Sequence, residues 1–92
     1  MQQLVKISDT VFQISHSELS SESLLPDVVS QLEDYGCVLL ETYRGADRAQ
    51  FQFRLYHHVF TLYHEELPDV IWVEFEEQSG RIIQDLYRLL MQ

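Results

Sequence analysis

The apolar residues of this chain change period at Gly36, and that change decides the class of fold. Before it, Leu25, Val28, Val29, Leu32 and Tyr35 recur at helical spacing, with Gln31, Glu33 and Asp34 off the stripe. After it the pattern alternates residue by residue. Val38, Leu40 and Thr42 oppose Leu39, Glu41 and Tyr43; then Phe51, Phe53 and Leu55 oppose Gln50, Gln52, Arg54 and Tyr56. The second alternation gives one wet face and one buried face, the mark of a strand in an antiparallel sheet covered on one side. A chain that carries both periods in successive blocks reads as α+β.

The element boundaries follow from local chemistry. Ser23 is the expected N-cap of the first helix, Pro26 then falls in its first turn, and Gly36 sits at C′. A strand is expected from Cys37 to Tyr43, and Arg44 to Arg48 reads as a turn. Past Tyr56 the apolar parity slips by one, to Phe60 and Leu62, which places a tight turn at Tyr56-His57-His58. Leu67-Pro68-Asp69 marks the next turn. Val70 to Phe75 follows as a strand, with Ile71, Val73 and Phe75 on one face and Val70, Trp72 and Glu74 on the other. Ser79 is the expected cap of a second helix whose stripe is Ile82, Ile83, Leu86, Leu89 and Leu90. At the N-terminus, residues 4–16 read either as a hairpin about Asp9-Thr10 or as one irregular strand. The expectation is one domain over residues 1–92: a two-layer sandwich with a mainly antiparallel sheet of four to five strands and two helices on one face.

The stretch Phe60-Thr-Leu-Tyr-His-Glu-Glu-Leu-Pro-Asp-Val-Ile-Trp-Val-Glu-Phe75, behind a Phe-Gln-Phe-Arg strand and before a Leu-rich helix, resembles a small family of short proteobacterial proteins without an assigned activity. The resemblance covers the C-terminal half. It implies a bacterial origin and a single domain, and it carries over no functional residue.

Charge narrows the partners. Fifteen Asp and Glu against six Lys and Arg give a formal charge of −9. Nucleic-acid binding and anionic membrane surfaces both reward cations, so neither is expected. An acidic DNA mimic that occupies a basic protein is one alternative that the charge allows. Cys37 is the only cysteine, so no internal disulfide forms, and a small domain without such staples is expected in a reducing cytoplasm. The N-terminal residues lack the basic and apolar regions of a signal peptide.

Catalytic signatures are missing. His58 and His64 lie six residues apart on one strand, about 20 Å, too far for one ion to bridge. His64-Glu-Glu-Leu-Pro68 has Pro where the zinc-protease helix motif needs its second His. Cys37 follows a helix C-terminus, whose negative end disfavours a thiolate. No glycine-rich phosphate loop exists. No metal, no cofactor and no catalytic residue is therefore assigned, and the chain is not read as an enzyme.

What remains is surface. Five strands span about 24 Å and two packed helices about 20 Å, so the helices cover one face of such a sheet and little of the other. By parity the open face carries Tyr43, Tyr56, Tyr63, Val70 and Trp72, with Val59 among Gln50, Gln52, Arg54 and Glu74. Aromatic residues set among polar ones are enriched at protein interfaces. The leading expectation is a small interaction, adaptor or regulatory module whose partner is another protein or a second copy. A small-ligand or enzymatic domain with a pocket that sequence does not reveal is the alternative.

Overall fold

The computed structural model describes residues 1–91 in eight elements. These are β1 (Gln2–Lys6), β2 (Val11–His16), α1 (Ser21–Tyr35), β3 (Val38–Arg44), β4 (Arg48–Leu55), β5 (His58–Glu66), β6 (Asp69–Phe75) and α2 (Gly80–Leu90). The strands form one open sheet in the order β1-β2-β6-β5-β4-β3, with every neighbouring pair antiparallel. The α+β class holds. The sheet has six strands, above the expected four to five, because residues 2–16 form a complete hairpin. Its turn closes where Ile7 N and Ser8 N both donate to Val11 O.

Alternation decides which side of the sheet is dry. Leu4, Phe12, Ile14, Ile71, Val73, Phe75, Phe60, Leu62, Ala49, Phe51, Phe53 and Leu55 all point to one face, and all are buried. Phe53 and Phe60 stack at 5.6 Å and Phe60 meets Phe75 at 5.1 Å, so the aromatic core runs continuously across β4, β5 and β6. Leu24, Leu25, Val28 and Leu32 of α1 join this core, as do Ile82, Leu86 and Leu90 of α2. Tyr87 of α2 sets its ring edge-on to Phe12, 5.5 Å away. Gln2 ties three elements together: its Nε2 donates to Leu90 O at 2.6 Å, and its amide exchanges hydrogen bonds with the amide of Gln31. One orphan carbonyl at the end of α2 is thereby satisfied.

Several local expectations are corrected. The N-cap of α1 is Ser20, three residues before the expected Ser23: Ser20 Oγ accepts from Ser23 N at 3.2 Å. Pro26 consequently lies inside the helix, where its missing N–H removes the bond to the Glu22 carbonyl. Gly36 does end α1 in the left-handed region, at φ 114°, with Gly36 N and Cys37 N donating back to Glu33 O and Leu32 O. Tyr35, expected on the buried stripe, is exposed. Ser79 occupies the cap position of α2, but its buried hydroxyl bonds His58 Nδ1 at 3.1 Å and does not cap the helix. Arg48 begins β4 instead of ending a turn. In β3 a bulge between Leu39 and Glu41 breaks the expected alternation, so Leu39 and Thr42 share the inner face while Val38, Glu41 and Tyr43 share the outer one.

Candidate functional site

The outer face of the sheet is built from the alternate residues of all six strands, and none of them is buried. The strand registers align one row across the full width: Val5, Gln13, Trp72, Tyr63, Gln50 and Tyr43. A second row holds Val11, Glu74, Thr61, Gln52 and Glu41. At about 4.8 Å per strand each row extends on the order of 20–24 Å.

The centre of this face is an aromatic stack. Tyr63 and Trp72 are directly opposite on β5 and β6, and their rings lie 5.0 Å apart and 11° from parallel. Arg48 of β4 reaches over both, its guanidinium carbon 5.8 Å from the Tyr63 ring and 5.6 Å from the Trp72 ring. Glu65, its cross-strand partner, holds Arg48 with a 2.8 Å ion pair and so keeps the guanidinium more firmly protonated. Trp72 Nε1 donates to Glu74 Oε1 at 3.1 Å. The half-buried indole thus has its polar edge satisfied and its ring held between Tyr63 and Arg48, a partly exposed aromatic of the kind that suits an interface anchor. Cross-strand stacking also stabilises the sheet itself, and the two roles are compatible.

Of the residues assigned to this face from sequence, the structure places Tyr43, Tyr63, Val70 and Trp72 on it, with Val59, Gln50, Gln52, Arg54 and Glu74. Tyr56 is not on it. Tyr56 and His57 form the two-residue turn between β4 and β5, and Tyr56 takes a positive φ of 56° with its side chain 76% exposed. Arg48 and Glu65 were missed. Parity shows which face a residue takes, but only the β4–β5 register, pairing Arg48 with Glu65, brings them together.

The titratable groups that invite chemistry are dispersed. His16 accepts from Glu18 N and Leu19 N through Nδ1, while its Nε2 lies 3.1 Å from the N-terminal amine. His58 meets Ser79, His64 meets Asp69, and exposed His57 lies against the His58 ring. Among the described residues, no group of three or more His, Cys, Asp or Glu lies together as a metal site would require. Cys37 is buried, and burial pushes its thiol up to about 11, which leaves it unreactive at neutral pH. No helix of the described residues is long and apolar enough to cross a membrane.

An apolar hollow lies elsewhere, between the β1–β2 turn and α2. It has a volume of about 370 Å³ and is lined by Phe12, Ile83 and Tyr87 together with Arg88 and the Lys6–Asp9 ion pair. Known proteins offer no template for either place: no protein-family model matches the chain, and neither a curated protein nor a solved structure does.

Proposed function

We propose that this chain is a small cytoplasmic interaction module, a two-layer sandwich that binds another protein through the open face of its sheet. The observation that carries this reading is the Tyr63–Trp72 stack under Arg48, half-buried aromatic surface at the centre of a sheet face on which no side chain is fully buried. Uncovered aromatic surface ringed by polar side chains is what protein interfaces use as anchors. Gln50, Gln52, Thr61 and Glu74 supply the surrounding polar contacts.

The test compares Trp72→Ala with the native chain, both checked for folding by circular dichroism. Proteins retained by the native chain from its own cell extract are identified by mass spectrometry and then purified. Trp72→Ala is expected to weaken the purified complex by about thirtyfold, the size of a hot-spot truncation. Unchanged affinity in a folded variant would remove the face from consideration.

A second reading rests on the hollow beside α2. Its size falls in the range of small-molecule sites, and Arg88 beside the apolar Ile83 and Tyr87 suits an anionic ligand with an apolar body. Saturable binding of such a compound, abolished by Tyr87→Ala, would favour a ligand-binding domain over an adaptor.

A further inference from the structure

One stripe of α2 lines the hollow beside the β1–β2 turn. Gly80, Ile83, Gln84, Tyr87 and Arg88 stand at i, i+3, i+4, i+7 and i+8, so the hollow follows the helix for about two turns, about 12 Å. Its opposite side is the β1–β2 hairpin, where the buried Phe12 meets the Tyr87 ring edge-on at 5.5 Å. A volume of about 370 Å³ drawn out over that length makes a narrow groove, not a round cup.

The two ends of this groove differ. At the Arg88 end there are polar groups to spare: among the described residues the guanidinium makes no ion pair, and neither it nor the Tyr87 hydroxyl bonds another side chain. Lys6 stands opposite Phe12 in the β1–β2 register and lines the hairpin side, but its ammonium is engaged by Asp9 at 3.4 Å. Arg88 is thus the lining cation left for a ligand. At the Gly80 end there is space, since a Cβ at that position would meet no atom within 4 Å. Between the two ends, Ile83 and Tyr87 are half-buried and present apolar surface to the groove.

We propose that the groove binds a medium-chain, unbranched carboxylate, its head group on Arg88 and the Tyr87 hydroxyl and its tail along Ile83 toward Gly80. This class of ligand rests on the hollow being a small-molecule site. A guanidinium pairs a carboxylate through two parallel hydrogen bonds, and one unpaired arginine matches one negative charge. A dianionic head group would leave a charge unmet in a chain of −9. The tail follows from shape: an unbranched chain fills a long, narrow groove, and each methylene laid on Ile83 and Tyr87 leaves water. Gly80 then limits the length, because a side chain there would occupy the far end.

Octanoate, decanoate and dodecanoate, each below its micelle concentration, are titrated into the full chain by calorimetry, beside decanol and phenylacetate. Affinity should rise by about two- to fourfold per methylene and level off once the groove is full. Arg88→Gln should weaken decanoate by about tenfold with circular dichroism unchanged, and should leave the weaker binding of decanol as it was. Gly80→Leu should move the plateau to a shorter acid. Trp72→Ala, on the outer sheet face, should change neither. Decanoate binding unchanged in Arg88→Gln overturns the inference, and so does a plateau unmoved in Gly80→Leu or decanol bound as tightly as decanoate. Phenylacetate held through Arg88 where the straight-chain acids are not would overturn this class of ligand and keep the ligand site. Binding of none of these compounds would end both.

Discussion

Asp69 joins parts of the chain that no local pattern connects. Its Oδ1 lies 2.8 Å from Nε2 of the buried His64, while its Oδ2 accepts from Ser21 N at 3.0 Å and Glu22 N at 3.5 Å. The first turn of α1 is therefore held by the β5–β6 turn, and an anion there also complements the helix dipole. The His64 hydrogen bond, helped by the two backbone donors, holds the Asp69 carboxyl below its ordinary range. A carboxyl whose folded pKa is depressed stabilises the fold above its unfolded value, about 3.9, and that contribution is lost as pH falls through the folded value. Asp69→Asn should thus melt at a lower temperature than the native chain at pH 7. The gap should close as pH falls below about 4. A gap that persists unchanged into acid would show that the carboxylate charge has no part in holding α1. Sequence marks Asp69 only as a turn acid, because its helix partners stand nearly fifty residues earlier in the chain. Ser20 was overlooked as the cap for a different reason: four serines crowd residues 17–23, and composition does not choose among them.

At the scale of elements, burial on one face explains what was legible. β4 and β6 each bury one regular stripe, so their alternation survives in the sequence and their inward residues are read correctly. The helical stripe of α1 is read except for Tyr35, which is exposed, and Leu24, which is buried off the expected stripe. Phe53 is the centre of that core, fully buried and stacked on Phe60. Phe53→Ala should cost about 3–5 kcal/mol, measured by denaturant unfolding, which is much of the stability of a domain this small. Near-native stability would mean that the ring contributes little to the core. β3 was less legible because it buries neither face: nothing enforces alternation there, and the bulge at Leu40 passes unnoticed. The β4–β5 turn was located by the slip in parity, yet its conformation was not. Tyr56 occupies a left-handed position that favours glycine, at a cost of about 1–2 kcal/mol for an L residue. Tyr56→Gly should therefore raise stability, by about 1 kcal/mol after the entropy of glycine is counted. Since Tyr56 is exposed and outside the sheet face, partner binding should be unaffected. A loss of binding in that variant would extend the interface to the hairpin tip.

For the whole molecule, charge is the organising quantity. A chain of −9 repels itself in the compact state, and its ion pairs do little to offset this. The described side chains form three: Lys6–Asp9, Arg48–Glu65 and His64–Asp69. The first is largely solvent-exposed and the third is an ion pair only when the imidazole is protonated, so screening by salt has little attraction to remove. It has much repulsion to remove. Five acids with no intervening base lie from Glu18 to Asp34, and six more from Glu65 to Glu77. Asp69 in the second group approaches the start of α1 in the first, so the two acidic runs meet in space. Adding sodium chloride from low ionic strength should accordingly raise the melting temperature. A relief on the order of 1 kcal/mol corresponds to about 4–8 °C for a domain of this length. The rise should be steepest at low salt, where the screening length still exceeds the spacing of surface charges. A melting temperature that falls with added salt would show that attractive pairs, not the acidic excess, govern the stability of this chain. Lysine substitution at Glu22 or Glu76, both exposed, should flatten the salt dependence without touching the core, which ties the effect to these two runs.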